Sequence, residues 1–243
     1  MEFAGRNALV TGGAQRVGRA LTVALAGAGA NVFIHYNRSA GPAEETAAEV
    51  RELGANAVTG AADLSDPGHV SQLIADATAA MGPISILINS ASGFPKDRFQ
   101  NVTLEDWHRA HDLSLGGPVF LTQAFAAALA GDSDGAVVNI TDVRTATPYR
   151  EHFSYIVAKG GLDAFTRAAA VALAPRIRVN AVALGLILPP PGEGEDYVRR
   201  LAARVPLRRA GGTDPVATAV LALLENDFVT GEIVRVDGGA HLV

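Results

Sequence analysis

The sequence contains no cysteine. That excludes disulfides, thiolate metal sites and cysteine nucleophiles, and it fits a reducing cytosol. No run of 18 or more apolar residues occurs, so no membrane span is expected. The opening Met1-Glu2-Phe3-Ala4-Gly5-Arg6 lacks the charged-then-apolar order of a secretory signal and leads straight into a strand pattern, so a cytoplasmic location is expected. There is no lysine/arginine block, and the formal net charge is -5, so nucleic acid is not an expected partner. The pairs Arg199-Arg200 and Arg208-Arg209 read as solvated helix face or subunit contact. Acidic residues form no tight constellation and the six histidines lack ligand spacing, so no metal site is expected.

What is present is apolar residue and glycine. The chain is 49% hydrophobic with 26 glycines, and its 243 residues suffice for one sizeable core without division into two domains. Strand patterns fall at residues 7–11, 31–35, 55–59, 84–88, 135–141, 176–182 and 231–236, and helix patterns at 16–27, 42–53, 68–81, 103–129 and 152–173. The 84–88 run is nearly all apolar, as a central parallel strand requires. Asp66 before Pro67 reads as a helix N-cap, and Gly116-Gly117-Pro118 as a break in the long helix. Strand and helix alternate with crossovers long enough for right-handed parallel connections. The expected fold is a doubly wound α/β, Rossmann-type parallel sheet of about seven strands with helices on both faces, residues 1–243 forming one domain. Residues 186–209, with Pro189-Pro190-Pro191-Gly192, break the rhythm. They read as a substrate lid over the C-terminal edge of the sheet, or as an ordinary surface excursion.

The first strand runs into Thr11-Gly12-Gly13-Ala14-Gln15-Arg16-Val17-Gly18 and then a helix. Glycines tighten such a turn, and the helix N-terminus offers amides to a diphosphate. The second strand ends in His35-Tyr36-Asn37-Arg38-Ser39, without the carboxylate that takes the adenine ribose hydroxyls of NAD. Arg38, Ser39 and Arg16 instead suit a phosphate, since guanidiniums bind phosphate through forked donors. The expected cofactor is NADPH; the alternative leaves both arginines as surface groups. Asp63-Leu64 can meet the adenine, or Asp63 can serve helix entry. Asn89-Ser90-Ala91-Ser92 leaves the fourth strand with small side chains that permit close passage of the cofactor.

Tyr155 and Lys159 stand at i and i+4, on one helix face. A free phenol titrates near 10, and a neighbouring ammonium stabilises its phenolate. The pair therefore fits proton transfer in a nucleotide-dependent redox reaction. Asp142 lies thirteen residues before Tyr155. It reads as an acceptor at the reaction centre or as a loop cap. Phe94 reads as a stacking platform or as local core, and Tyr149, Phe153 and Tyr197 are weaker candidates for a pocket wall.

Taken together, the glycine turn, Asn89 to Ser92, Tyr155 with Lys159, Arg178-Val179-Asn180, Gly185, Val229-Thr230-Gly231 and Val236-Asp237-Gly238-Gly239 resemble the short-chain dehydrogenase/reductase family over essentially the whole chain. That resemblance implies Tyr155 as proton donor or acceptor, with Lys159 holding the nicotinamide ribose. The family's helper serine falls on Asp142, its glycine on Arg16, its central-helix asparagine on Ser114, and the proline before Gly185 on Leu184. Arg16, His35-Tyr36, Arg38-Ser39, Asp142 and the set Asn89, Ala91, Ser92 and Phe94 are similar to pteridine reductases and the related dihydromonapterin and dihydrofolate reductases. The likeness implies that Ser92, Phe94, Asp142, Tyr155 and Leu186 meet a pterin, with Phe94 stacking on it. It implies a homotetramer joined through residues 103–129, 152–173 and the C-terminal region. Ser114 and Leu184 depart from both groups. Three functions follow for testing: pterin or folate reduction, reduction of 3-oxoacyl thioesters or sugar-like ketones, and nucleotide binding with little catalysis.

Overall fold

A computed structural model of the chain describes all residues except Ala130, Asp132, Tyr149 and Pro191. Tyr149 as a wall candidate, and Pro191 of the proline run, thus lie outside the described residues. Seven strands form one parallel sheet: β1 (Asn7–Val10), β2 (Asn31–Tyr36), β3 (Ala57–Ala61), β4 (Ile84–Asn89), β5 (Gly135–Asp142), β6 (Ile177–Leu184) and β7 (Ile233–Val236). Their order is β3-β2-β1-β4-β5-β6-β7, with every neighbouring pair parallel. The chain reverses its winding direction between β1 and β4. Their C-terminal ends therefore diverge into a crevice, which is where a doubly wound sheet binds ligands.

Alternation along the strands divides the core into two layers. Ala8, Val10, Val32, Ile34, Ile86 and Ile88 face one layer, where Leu21 and Leu25 of α1 (Arg16–Gly27), Ala43, Ala47 and Val50 of α2 (Ala40–Glu52), and Val216, Val220 and Leu224 of α8 (Asp214–Glu225) cover them. Leu9, Phe33, Leu87 and Val137 face the other, against Val70, Leu73 and Ile74 of α3 (Pro67–Met81) and Leu121 and Phe125 of α5 (Gly117–Ala128). Asp66 caps α3, its carboxylate accepting from the Gly68 amide at 2.8 Å.

Three parts depart from the sequence expectation. The break at Gly116-Gly117-Pro118 is not a break. α4 (Leu104–His111) passes through one π turn, Asp112–Gly116, directly into α5. Pro118 is the second residue of α5, and the turn before it bonds i→i−5, the Gly117 amide donating to the Asp112 carbonyl, so the helical path continues through the proline. β3 runs two residues later than its pattern suggests. Finally, α8 was not expected at all, although Asp214-Pro215 and the apolar run after it carry helix-start and helix-body signals. α6 (Phe153–Leu173) and α7 (Glu195–Ala202) complete the helices. α7 and the loop before it lie within the 186–209 excursion.

Candidate active site

The glycine turn is built around Thr11. Its hydroxyl accepts from the Ser90 and Ala91 amides at 2.9 and 3.0 Å, drawing the β1 and β4 exits together. Gly12 has φ +64°, and a Cβ there would stand 3.1 Å from the Ala91 Cα. A Cβ on Gly18 would meet the Gly12 carbonyl. Only glycine lets the turn fold this tightly onto the start of α1, leaving a cradle of helix amides at the crevice.

His35 supports that turn from behind. Its buried Nδ1 accepts from the Gly12 amide at 3.1 Å, and Nε2 lies 3.0 Å from the Ala62 carbonyl. Nε2 therefore carries the proton. Burial lowers the pKa and keeps the ring neutral, against the raising effect of the Ala62 hydrogen bond. Arg16 holds φ +54°, a left-handed conformation, at the position where the resemblance expects glycine. Its guanidinium donates to the Pro189 carbonyl at 2.6 Å and so ties the glycine turn to the 186–209 segment.

A cleft of about 1340 Å³ opens over these elements. Of the residues expected at a cofactor, Gly12, Arg16, Val17, Gly18, His35, Asn37, Leu64, Ser90, Ala91, Tyr155, Lys159 and Gly185 line it. Tyr36, Arg38, Ser39, Asp63 and Asn89 do not. Arg38 is exposed just beyond the end of β2, with Ser39 next to it before α2. Asp63 accepts from the Ser65 amide and hydroxyl at 3.0 and 2.6 Å; these bonds hold its carboxyl below the usual range and fix it as a turn-former. The Asn89 side chain turns into the sheet, donating to Asn139 Oδ1 at 2.9 Å and Thr122 Oγ1 at 3.3 Å.

At the other end of the cleft, the last residue of β5 meets α6. Tyr155 Oη donates to Asp142 Oδ2 at 3.1 Å. The second oxygen, Oδ1, accepts from the Arg144 amide at 2.8 Å and caps a short 3₁₀ turn, Val143–Thr145. One oxygen thus orders the loop and the other faces the phenol. Burial pushes its carboxyl above the ordinary value, while the Arg144 amide, Tyr155 and Lys159 pull the other way. Lys159 is 2% exposed and donates to the Ile140 carbonyl at 2.7 Å. Burial pushes its pKa down to about 8, opposed by the charges of Asp142 and Asp163.

Ser114 is buried in the π turn, its hydroxyl 3.2 Å from that of Ser92. Ser92, Phe94, Leu184 and Leu186 line the cleft, as does Tyr197; Phe153 does not. Phe94 is 43% exposed and lies edge-on to Tyr155, with centroids 4.9 Å apart. Its face stacks on His152 at 3.7 Å. His152 was not singled out from sequence. It has φ +61°, and its Nδ1 lies 2.7 Å from the Pro95 carbonyl. Asp97 holds the Ser154 amide and hydroxyl, and Arg98 pairs with Glu151. Residues 94–98 are thereby clasped to the start of α6, which fixes Phe94 beside Tyr155.

A parallel sheet with a glycine cradle at its switch point and a Tyr–Lys helix at the cleft defines a nucleotide-dependent oxidoreductase. Residues 12–241 match the family described as enoyl-(acyl carrier protein) reductase, and the chain belongs to that family, within the short-chain dehydrogenases/reductases. The crystal structure of FolM alternative dihydrofolate reductase 1 from Brucella canis, complexed with NADP, superposes with a TM-score of 0.95 at 39% identity, covering 100% of this chain and 96% of that one. Its counterpart from Brucella suis gives the same score and identity, with 97% of that chain covered. A 3-oxoacyl-(acyl-carrier-protein) reductase from Synechocystis sp. is 32% identical over 242 residues, 96% of this chain and 95% of its own length.

Proposed function

We propose that this protein is an NADPH-dependent reductase of a pteridine ring, a dihydropterin or dihydrofolate, with Tyr155 as proton donor. The observation that carries the reading is the Asp142–Tyr155 contact, with Phe94 standing beside it. A pteridine presents amino and ring N–H donors, which a carboxylate accepts well, whereas a simple ketone presents only an acceptor oxygen. Phe94, 43% exposed although His152 stacks on it, gives a flat ring an aromatic surface next to the phenol. Both FolM proteins from Brucella, named as dihydrofolate reductases and solved with NADP, support the same reading.

The cradle fits the cofactor: with no room for a Cβ at Gly12 or Gly18, the turn closes tightly and leaves the N-terminus of α1 at the cleft, where its amides suit a diphosphate. Arg38 and Ser39, with Arg16, would hold the adenosine phosphate; Lys159 would hold the nicotinamide ribose. Once bound, the cofactor supplies the hydride. Tyr155 Oη delivers the proton to the substrate nitrogen, Lys159 stabilises the resulting phenolate, and Asp142 orients the ring through its donors. Residues 186–209 serve as the lid, anchored to the turn through Arg16. The described helices include none long and apolar enough to cross a membrane. The working assembly is a homotetramer, which light scattering tests.

A second reading has its own support: the Synechocystis relative is named a 3-oxoacyl reductase. Absorbance-monitored NADPH oxidation with dihydrobiopterin, dihydrofolate and acetoacetyl thioester in parallel separates the two. Turnover of a pteridine supports the first; turnover of the thioester alone replaces it with the second.

A further inference from the structure

The protein is acidic overall, yet among the described residues six basic side chains and only two acidic ones line the cleft. Most of that excess is not explained by the reaction. Arg16 belongs to the glycine turn, Lys159 to the reaction centre, and Arg98 is paired with Glu151 at 2.5 Å. That leaves Arg144, Arg150 and Arg204. Arg144 lies two residues after Asp142 and donates to Thr147 Oγ1 at 3.3 Å. Among the described residues, Arg150 and Arg204 have no ion-pair partner, and both are exposed.

Their placement is directional. Arg150 stands two residues before His152, which stacks on Phe94 and so marks the outer wall of the ring pocket. Arg204 closes a stripe on the 186–209 segment. Tyr197 and Leu201 stand four apart on one face of α7, Arg204 lies two residues past its end, and all three line the cleft. An aromatic and an aliphatic side chain on the helix are thus followed by a guanidinium just beyond its end. Exposed guanidiniums lining a cleft are ready to meet an anion, which accepts their forked hydrogen bonds.

We propose that Arg150 and Arg204 form an anion subsite at the mouth of the cleft that reads a carboxylate tail on the substrate. The inference rests on the pteridine reading and sharpens it: the enzyme prefers a ring bearing a carboxylated tail to one bearing a neutral tail. The tail runs outward along Tyr197 and Leu201, and its carboxylates meet the two arginines. A phosphate is the other anion with this chemistry, and acetoacetyl coenzyme A supplies it as a separate arm.

The test compares kcat/KM for dihydrofolate with that for dihydrobiopterin, in wild type, Arg150→Ala, Arg204→Ala and the double variant. The dihydrofolate-to-dihydrobiopterin ratio should fall by about tenfold in each single variant, as expected for one lost charge-assisted contact, and the loss should sit in KM rather than kcat. Raising the salt concentration should shrink the same ratio in wild type and leave it flat in the double variant. A ratio that stays constant while both rates fall means the arginines only shape the lid, and it overturns the subsite. If acetoacetyl coenzyme A rather than dihydrofolate shows the arginine dependence, the carboxylate assignment is overturned in favour of phosphate. If neither pteridine is reduced, the pteridine reading itself fails. Calorimetry with p-aminobenzoyl-glutamate then decides the subsite alone: binding to wild type that the double variant loses upholds it, and no binding overturns it.

Discussion

Asp142 divides its carboxylate between two tasks: Oδ1 accepts from the Arg144 amide at 2.8 Å, and Oδ2 accepts from Tyr155 Oη at 3.1 Å. The first task is local and structural; the second reaches thirteen residues along the chain to Tyr155 on α6. The two can be separated. Asp142→Asn keeps an oxygen to cap the 3₁₀ turn, whereas Asp142→Ala does not. Chemical denaturation should place the alanine variant about 1 kcal/mol below the asparagine variant, the usual value of a lost side-chain cap. Equal stabilities would mean that the cap contributes nothing.

Tyr155 touches Asp142 and Phe94 but is asked to move a proton only in the transition state. Tyr155→Phe should leave NADPH affinity nearly intact and lower kcat by roughly 10²–10⁴. Fluorescence titration and steady-state turnover on the best substrate read the two effects. Near-wild-type kcat would remove Tyr155 from its role.

Lys159 must be an ammonium to stabilise a phenolate, and burial brings its pKa down to about 8. The working form is therefore present below that value and lost above it, so kcat/KM should decline through an alkaline limb near pH 8. The charge of Asp142 raises the Lys159 pKa. Removing that charge in Asp142→Asn should move the limb to lower pH. Since the groups titrate together, the limb belongs to the cluster. A limb that stays put or moves upward would contradict the electrostatic coupling.

Arg16 occupies left-handed backbone, with φ +54°. Alanine there keeps the steric cost of that conformation, and glycine removes it. Arg16→Gly should be more stable than Arg16→Ala by about 1 kcal/mol in urea denaturation. Both should show a reduced kcat/KM preference for NADPH over NADH, because both lose the guanidinium. An unchanged preference would leave Arg38 and Ser39 as the phosphate site.

The β/α alternation was legible because buried parallel strands are short apolar runs and the crossover helices carry their own start and stop signals. The Tyr155–Lys159 face was legible because i,i+4 spacing survives any placement of the helix. What failed depended on tertiary context. Gly116-Gly117-Pro118 has the composition of a break, but the π turn reconciles it with a continuous helix, and nothing local announces that. Asn89 sits in a turn-like polar stretch, yet its amide is claimed by Asn139 and Thr122 on other elements. His152 enters the cleft only because residues 94–98 are clasped to α6, a relationship between distant segments. An aromatic pair, Phe94 and His152, flanking the strand exit and the helix entry was the signal available for it. α8, by contrast, carries its signal locally, in Asp214-Pro215 and the apolar run after it.

The central claim is that Asp142 selects a pteridine ring, and Asp142→Ser tests it most directly. Serine restores the side chain usual in the family and removes the charged acceptor. The account predicts that kcat/KM for dihydropterins falls about ten- to a hundredfold, matching the loss of a charged hydrogen bond of roughly 1.5–3 kcal/mol. Over the same change, kcat/KM for a simple ketone or acetoacetyl thioester should hold or rise, since the new hydroxyl donates to a carbonyl oxygen. Equal losses on both substrate classes, or no change on either, would contradict it.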